Sequence, residues 1–311
     1  MSSLFSSFCL VIAIFESVVG LLGNGTIVAV SSTSCIRSKI LSSYDVIVIF
    51  LSLSRFFLQL WMILDFLLIF FCQPSYYEEN LFVTFKTVFI FLNSYSFWFA
   101  AWLSVFYCVK VASFTQSFLS WLKQRIASLI PWMLITSSLF SFATSLPFFW
   151  DSYNAHSNFT TPLTMTNSSK RITTRKTNLI FLILLCNVGI ALPSIMLVFS
   201  SILLIRSLWR HTRQMQNNAT GFRDPSLEAL IGAIKTVFSF LLLYITNFIA
   251  LILILSDTFV PLSTEEAICV VVVAACPAGQ SMVLIWSNPR FRELLSSILH
   301  YVNSCVRARC S

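Results

Sequence analysis

Hydrophobic residues fall into seven long runs along the chain, and polar and charged residues collect between them. The runs cover residues 6–31, 44–71, 82–112, 126–148, 179–206, 227–255 and 267–287. Each run has about 20 residues or more, the length that an α-helix needs to cross a hydrocarbon core of about 30 Å. The pattern therefore predicts an all-α membrane protein, a bundle of seven transmembrane helices that forms one domain over residues 1–311.

The composition indicates a membrane protein, and the absence of catalytic motifs argues against an enzyme. Hydrophobic residues make up 57% of the chain and charged residues 10%, which is too apolar for a soluble domain. The cysteines show no Cys-x-x-Cys spacing, and His156, His211 and His300 lie far apart, so we expect no metal and no cofactor. The chain has no nucleophile elbow, His-Glu-x-x-His pair or phosphate-binding loop, so we expect no catalytic residue.

The basic residues predict the orientation of the bundle in the plasma membrane. If the N-terminus is extracellular, most of the 20 Lys and Arg residues lie on the cytosolic side, as the positive-inside rule favours. The cluster from Lys170 to Lys176 is the exception, and it lies in a long loop, where the rule is weaker. The first run lacks the basic start of a cleavable signal peptide. We therefore expect the first run to remain as a helix and the C-terminus to be cytoplasmic.

This orientation also indicates where the chain is modified. Asn158 (in Asn-Phe-Thr) and Asn167 (in Asn-Ser-Ser) fall in the second outer loop, where N-glycosylation is expected and an unmodified polar loop is the alternative. Cys305 and Cys310 follow a basic stretch near the C-terminus. Palmitoylation and two free thiols both stay open for these cysteines.

Several polar side chains lie inside the predicted spans, and Arg55 is the costliest of them. The set is Glu16, Asn24, Arg55, Asp65, Asn93, Asn187 and Asn247. Arg55 lies about 16 Å into its helix, where a charge costs roughly 2.5–3.5 kcal/mol. A charge at this depth implies a buried partner, and the sequence leaves open whether it is Glu16, Asn24 or a group of the seventh span. A static clamp between helices and a role in switching are both compatible with this pattern.

Longer strings of residues carry a family resemblance through all seven spans in order. They are Glu16-Ser-Val-Val-Gly20-Leu-Leu-Gly-Asn24, Asp45-Val-Ile-Val-Ile-Phe-Leu-Ser-Leu-Ser-Arg55, Phe97 to Phe114, His211-Thr-Arg-Gln-Met215-Gln216, Ser239-Phe-Leu-Leu-Leu-Tyr244 and Pro277 to Pro289. In these strings the chain resembles the type 2 bitter taste receptors, a family of G-protein-coupled receptors. It departs from that family at Leu230 and Gln280, where histidine is common.

The resemblance implies a binding site for bitter small molecules that opens to the outside. The residues that it assigns to this site are Asp65, Phe89, Asn93, Asn247 and Val270. Phe89 and Asn93 are four residues apart and share a helix face, so they offer an aromatic wall beside a hydrogen-bonding group. Asp65 is expected to favour cationic ligands. Ordinary packing is the alternative role for Phe89 and Val270.

The resemblance also implies that the inner face activates a heterotrimeric G protein of the gustducin type. Activation and coupling are expected to involve Arg55, Tyr107, Lys110, His211 and Arg213. Basic side chains on this face would orient the docking partner by their charge. Positive charge is nevertheless common to the inner loops of any multispanning protein, so only the specific string from His211 supports coupling.

Other functions of a seven-helix membrane protein remain as alternatives. A small-molecule transporter is disfavoured because the chain shows no internal repeat and an odd number of spans. A pheromone-type receptor would have a similar architecture. The expected partners are bitter agonists, the G protein and the lipid membrane, with no nucleic acid among them.

Overall fold

A computed structural model of the protein describes residues 2–38, 42–71, 81–111, 125, 128–146, 168–218, 225–256, 263–288 and 291–292. In these ranges seven long helices form: α1 Ser2–Ser38, α2 Ser43–Phe71, α3 Leu81–Val111, α4 Ser128–Leu146, α5 Ser168–Asn218, α6 Pro225–Leu255 and α7 Thr264–Ser287. Each contains a stretch that is long and apolar enough to cross a membrane. The predicted all-α, seven-helix class is therefore confirmed.

Four residues with predicted modifications lie outside the described part of the chain. They are the sequon asparagines Asn158 and Asn167 and the C-terminal cysteines Cys305 and Cys310.

The helices form a closed bundle around a shared interior. α1 packs against both α2 and α7, and further contacts join α2 to α3, α3 to α5, α5 to α6 and α6 to α7. Leu51 of α2, Phe97 and Phe99 of α3 and Leu251 of α6 are almost completely buried in the core. Large apolar side chains such as Phe15 are exposed on the outside, as expected where the solvent is lipid.

Small hydroxyl side chains join α3 to its neighbours α4 and α5. Ser94 Oγ donates to Ser141 Oγ at 3.2 Å and to the carbonyl oxygen of Gly189 at 3.3 Å. Further along α3, Ser104 Oγ accepts a 2.8 Å hydrogen bond from Ser200 Oγ. Lipid tails are as apolar as the helix surfaces, so hydrogen bonds and close packing replace the hydrophobic effect as the force between helices. These hydroxyls therefore help to fix α3 in the bundle.

Gly189 permits a close approach of α5 to α4, and this packing gives a testable prediction. A Cβ at Gly189 would lie 2.8 Å from the Cβ of Thr144, which cannot rotate away, so one helix would have to shift. We expect Gly189→Ala to destabilise the protein by about 1–3 kcal/mol, as overpacking usually does. Thermal melting of the purified protein measures the effect.

Gly232 is the matched control on α6, because a Cβ there meets nothing within 4 Å. Gly232→Ala should melt at or slightly above the wild-type temperature, since alanine is the better helix former by about 1 kcal/mol. Equal melting temperatures for the two variants would show that α4 and α5 do not depend on this close approach.

Candidate functional site

Arg55 is completely buried in the middle of α2 and reaches across the bundle to α6. Its Nη2 donates a hydrogen bond to the hydroxyl of Tyr244, and its Cζ lies 5.6 Å from the centre of the Tyr244 ring. Among the described residues, Nε and Nη1 of Arg55 have no hydrogen-bond partner. The arginine is thus linked to α6 through a neutral phenol.

The partner of Arg55, which the sequence left open among groups of α1 and α7, is on α6. Asn24 Nδ2 donates instead to the carbonyl oxygen of Gly20 in its own helix, at 2.8 Å. Glu16 is only partly buried, and its Oε2 has no hydrogen-bond partner within the described ranges. The sequence offered one signal for the observed partner: Tyr244 carries a hydroxyl directly after four apolar residues of α6.

Tyr244 lies where side chains from three helices meet. Its ring contacts Phe97 of α3 edge-on, with 5.6 Å between the ring centres, and it is itself almost fully buried. On α7, a Cβ at Gly279 would lie 3.5 Å from the side chain of Leu243, the residue before Tyr244. Together with Arg55 of α2, these contacts place one cross-link at mid-bundle. We call Arg55, Tyr244 and Phe97 the central cluster.

A second polar link lies one helical turn from Arg55. Gln59 Nε2 donates to the carbonyl oxygen of Ala274 in α7 at 3.1 Å, and Gln59 is completely buried. Gly20 of α1 approaches the same amide so closely that a Cβ there would lie 2.7 Å from Nε2. Sequence reasoning missed Gln59, although an amide in an apolar span was a signal of the same kind as Asn24.

The structure brings two predicted ligand-binding residues, Asn93 and Asn247, to a similar level of the bundle. Asn93 comes four residues before Phe97 in α3, and Asn247 comes three residues after Tyr244 in α6. Because consecutive spans alternate in direction, α3 and α6 are antiparallel, and both asparagines lie about one turn to the same side of the Phe97–Tyr244 contact.

Both amides are buried, and each has an oxygen available for bonding. Asn93 and Asn247 are 1% and 3% exposed, and neither Oδ1 has a hydrogen-bond partner in the described part of the chain. Asn93 Nδ2 is occupied, because it donates to the carbonyl oxygen of Phe89 at 2.9 Å. Burying these two acceptors destabilises the folded protein unless another group donates a hydrogen bond to each of them.

The remaining predicted ligand-binding residues lie further in the same direction. Phe89 precedes Asn93 by one turn, and Val270 precedes Ala274 by one turn; both are partly buried against the core. Asp65 is partly buried in α2, about 15 Å along the helix from Arg55. The five residues thus lie on one side of the central cluster, with the two asparagines nearest to it.

Arg55, one of the predicted activation and coupling residues, belongs to the central cluster, and the others lie on the other side of it. Tyr107 follows Phe97 by about 15 Å along α3, and its ring centre is 5.8 Å from that of Tyr44 in α2. Lys110 is exposed, with Nζ 5.8 Å from the centre of the Phe106 ring.

Two further coupling residues, His211 and Arg213, are exposed near the C-terminal end of α5. Apart from Arg55, the predicted coupling residues therefore lie on the opposite side of the central cluster from the predicted ligand-binding residues.

Comparison with known families and proteins places the chain among taste receptors. Residues 1–303 match the family described as taste receptor protein (TAS2R). Taste receptor type 2 member 39 of Papio hamadryas is 39% identical over 94% of this chain and 86% of its own length. The human member 39 is 40% identical over 91% of this chain and 84% of its length. Taste receptor type 2 member 119 of Mus musculus is 31% identical, covering 97% of this chain and 88% of that protein.

Among solved structures, squid rhodopsin has a similar fold. The two chains align with a TM-score of 0.60 over 98% of this chain and 88% of the rhodopsin. Their sequence identity is 17%, so the likeness concerns the seven-helix architecture alone.

Proposed function

The chain belongs to the TAS2R taste receptor family, and we propose that it is a bitter taste receptor that couples agonist binding to a gustducin-type G protein. It is a multi-pass protein of the cell membrane. In the proposed arrangement the N-terminus is extracellular, the C-terminus is cytoplasmic and residues 1–311 form one receptor domain. Asn158 and Asn167 would then carry glycans on the outside.

The observation that best supports a ligand site is the pair of buried amide oxygens on Asn93 and Asn247. A ligand with hydrogen-bond donors would satisfy both oxygens, while Phe89 and Val270 would contact its apolar part. Asp65, further towards the outside, would attract a cationic group. Pockets of this kind, mostly apolar with a few placed polar groups, suit small amphipathic molecules of varied structure.

The central cluster lies between the ligand side and the coupling side, which suggests how a signal crosses the bundle. Asn93 and Phe97 share α3, and Asn247 and Tyr244 share α6, so an agonist that draws the asparagines together also acts on the Phe97–Tyr244 contact. Arg55 ties the same tyrosine to α2. An agonist that binds one arrangement of these helices better than another would shift the population towards it.

At the inner end, the proposed G-protein contact is formed by Tyr107 and the exposed basic side chains Lys110, His211 and Arg213. Reversing one of these charges should slow coupling, because complementary potentials chiefly raise the rate of association. We expect Lys110→Glu to reduce the initial rate of agonist-driven G-protein activation about threefold to tenfold at low ionic strength, and less at high salt.

Lys86→Glu is the matched control, since Lys86 lies on the same helix but about 36 Å away, towards the opposite end. It changes the net charge by the same amount and should leave the rate of G-protein activation near the wild-type value. Nucleotide exchange on purified G protein measures both variants. A similar rate loss for Lys86→Glu and Lys110→Glu would contradict the assigned contact.

The function as a whole is tested by expressing the receptor with a gustducin-type Gα subunit. Surface delivery is confirmed by antibody labelling, and calcium responses are recorded to a chemically broad panel of bitter compounds. We expect dose-dependent responses to some compounds that disappear when the Gα subunit is omitted. Silence to the entire panel, with receptor present at the surface, would count against the proposal.

A further inference from the structure

Arg55 is a buried cation for which the described residues provide no carboxylate partner. Its single side-chain hydrogen bond goes to the neutral hydroxyl of Tyr244, and its Nε and Nη1 donors have no acceptor in the described ranges. No ion pair joins Glu16 to Arg55 among the described residues, and the Glu16 Oε2 atom has no hydrogen-bond partner there either. An uncompensated buried charge is among the most expensive arrangements in a protein interior.

Two more buried groups near this level can donate hydrogen bonds and have no partner. Ser52 Oγ and Gln280 Nε2 belong to side chains that are 0% and 1% exposed. Ser52 lies three residues before Arg55, so both project from the same face of α2. Gln280 follows Gly279, where a Cβ would lie 3.5 Å from the side chain of Leu243, so Gln280 of α7 lies near the level of Tyr244.

The contact between α2 and α7 fixes the relative heights of these three residues. Gln59 in α2 bonds to Ala274 in α7, and the two helices are antiparallel. Along the helix axes, and measured from the Gln59–Ala274 contact, Arg55 lies about 6 Å, Gln280 about 9 Å and Ser52 about 10 Å away. All three lie in the same direction from that contact. The three sets of donors therefore occupy one short segment of the bundle interior.

We propose that Arg55, Ser52 and Gln280 form an internal site for a small monovalent anion such as chloride. The guanidinium supplies the charge, and the Ser52 hydroxyl and the Gln280 amide nitrogen supply neutral donors, so these three groups together favour an anion over a cation. The complete burial of Arg55 selects a small ion, since a large organic anion does not fit into a closed interior. Bound there, the anion neutralises the buried charge and stabilises the folded receptor. The site is independent of any agonist.

Thermal melting of the purified full-length receptor in gluconate or chloride, at equal ionic strength, tests the site. We expect chloride to raise the melting temperature saturably, by about 2–4 °C at ten times its dissociation constant, and bromide to replace it. Identical melting temperatures in the two salts at all concentrations would overturn the proposal. That result would also be expected if the Asn24 amide oxygen turned to accept from Arg55.

Two serines on α2 give a matched pair of variants. Ser52→Ala removes a proposed donor and should raise the half-saturating chloride concentration about threefold to tenfold. Ser54 is also buried, but its Oγ already donates to the carbonyl oxygen of Leu51 at 2.7 Å. Ser54→Ala should therefore leave the chloride response unchanged. Equal changes in both variants would indicate a general salt effect and refute the site.

Gln280→Glu provides a test that does not depend on weakening the receptor. The new carboxylate would act as a tethered anion beside Arg55, so the variant should melt in gluconate at or above the wild-type temperature in chloride. Its response to chloride should be lost. A variant that keeps the full chloride response and melts lower in both salts would contradict the assignment of Gln280 to this site.

Discussion

Replacing Arg55 with alanine is expected to reduce the maximal response to every agonist about tenfold, while the receptor still reaches the cell surface. The substitution removes the only described polar link between α2 and Tyr244, and hydrogen bonds to charged groups contribute about 1.5–3 kcal/mol. Coupling energies between receptor sites are of similar size, so losing this link is enough to uncouple ligand and G protein. Concentration–response curves, normalised to surface receptor, measure the loss.

The effect should reach all agonists alike, because Arg55 lies about 15 Å from Asp65 and below the two asparagines of the proposed ligand site. The rank order of potencies is therefore expected to stay the same. The receptor should still fold, since alanine also removes the cost of burying the charge of Arg55. A variant at the surface with unchanged baseline and unchanged maximum would refute the switching role and leave Arg55 as a static clamp.

Tyr244→Phe is the matched variant for this prediction. It keeps the aromatic ring, and hence the contact with Phe97, but deletes the hydroxyl that accepts from Arg55. Signalling should fall in the same direction as in Arg55→Ala. If both variants act through one hydrogen bond, the double variant is no worse than Arg55→Ala alone. Additive losses would mean that the two residues act separately.

The contrast between Arg55 and its partner shows what sequence can and cannot predict in this fold. The depth of Arg55 followed from helix rise alone, because a span of apolar residues has a fixed length per residue. Its partner did not follow, because pairing depends on which faces of α2 and α6 point into the bundle. Tyr244 is separated from Arg55 by more than half of the chain, and no local pattern records their contact.

The close helix contacts could not be predicted from the sequence either, although the glycines that permit them are present in it. Gly20 and Gly189 are ordinary glycines in apolar runs until the structure shows Gln59 facing one and Thr144 facing the other. Family strings predicted the seven-helix order and the candidate residues. They did not predict that Asn93 and Asn247 lie at one level, since that follows from the contact between Phe97 and Tyr244.

Asn93→Ala is expected to change the potency of some agonists and not of others, because Asn93 and Asn247 lie at one level of the bundle and a single ligand can reach both. Agonists that donate a hydrogen bond to the Asn93 oxygen should lose about fivefold to a hundredfold in potency, equivalent to about 1–3 kcal/mol for a buried polar group left unpaired. Agonists that bind through apolar contacts should stay within about twofold, because Phe89 and Val270 are unchanged. Half-maximal concentrations across a chemically broad panel measure the difference.

Ser94→Ala separates this binding effect from a general loss of packing. Ser94 is the neighbouring residue and is also buried, but its hydroxyl bonds to Ser141 and Gly189 on the side of α4 and α5. Its removal should lower surface expression or stability and shift all agonists together. Asn247→Ala, in contrast, should weaken a set of agonists that overlaps with the Asn93 set, since one ligand reaches both oxygens. Uniform shifts across the panel in Asn93→Ala, matching those in Ser94→Ala, would show that Asn93 supports packing and does not contact ligand.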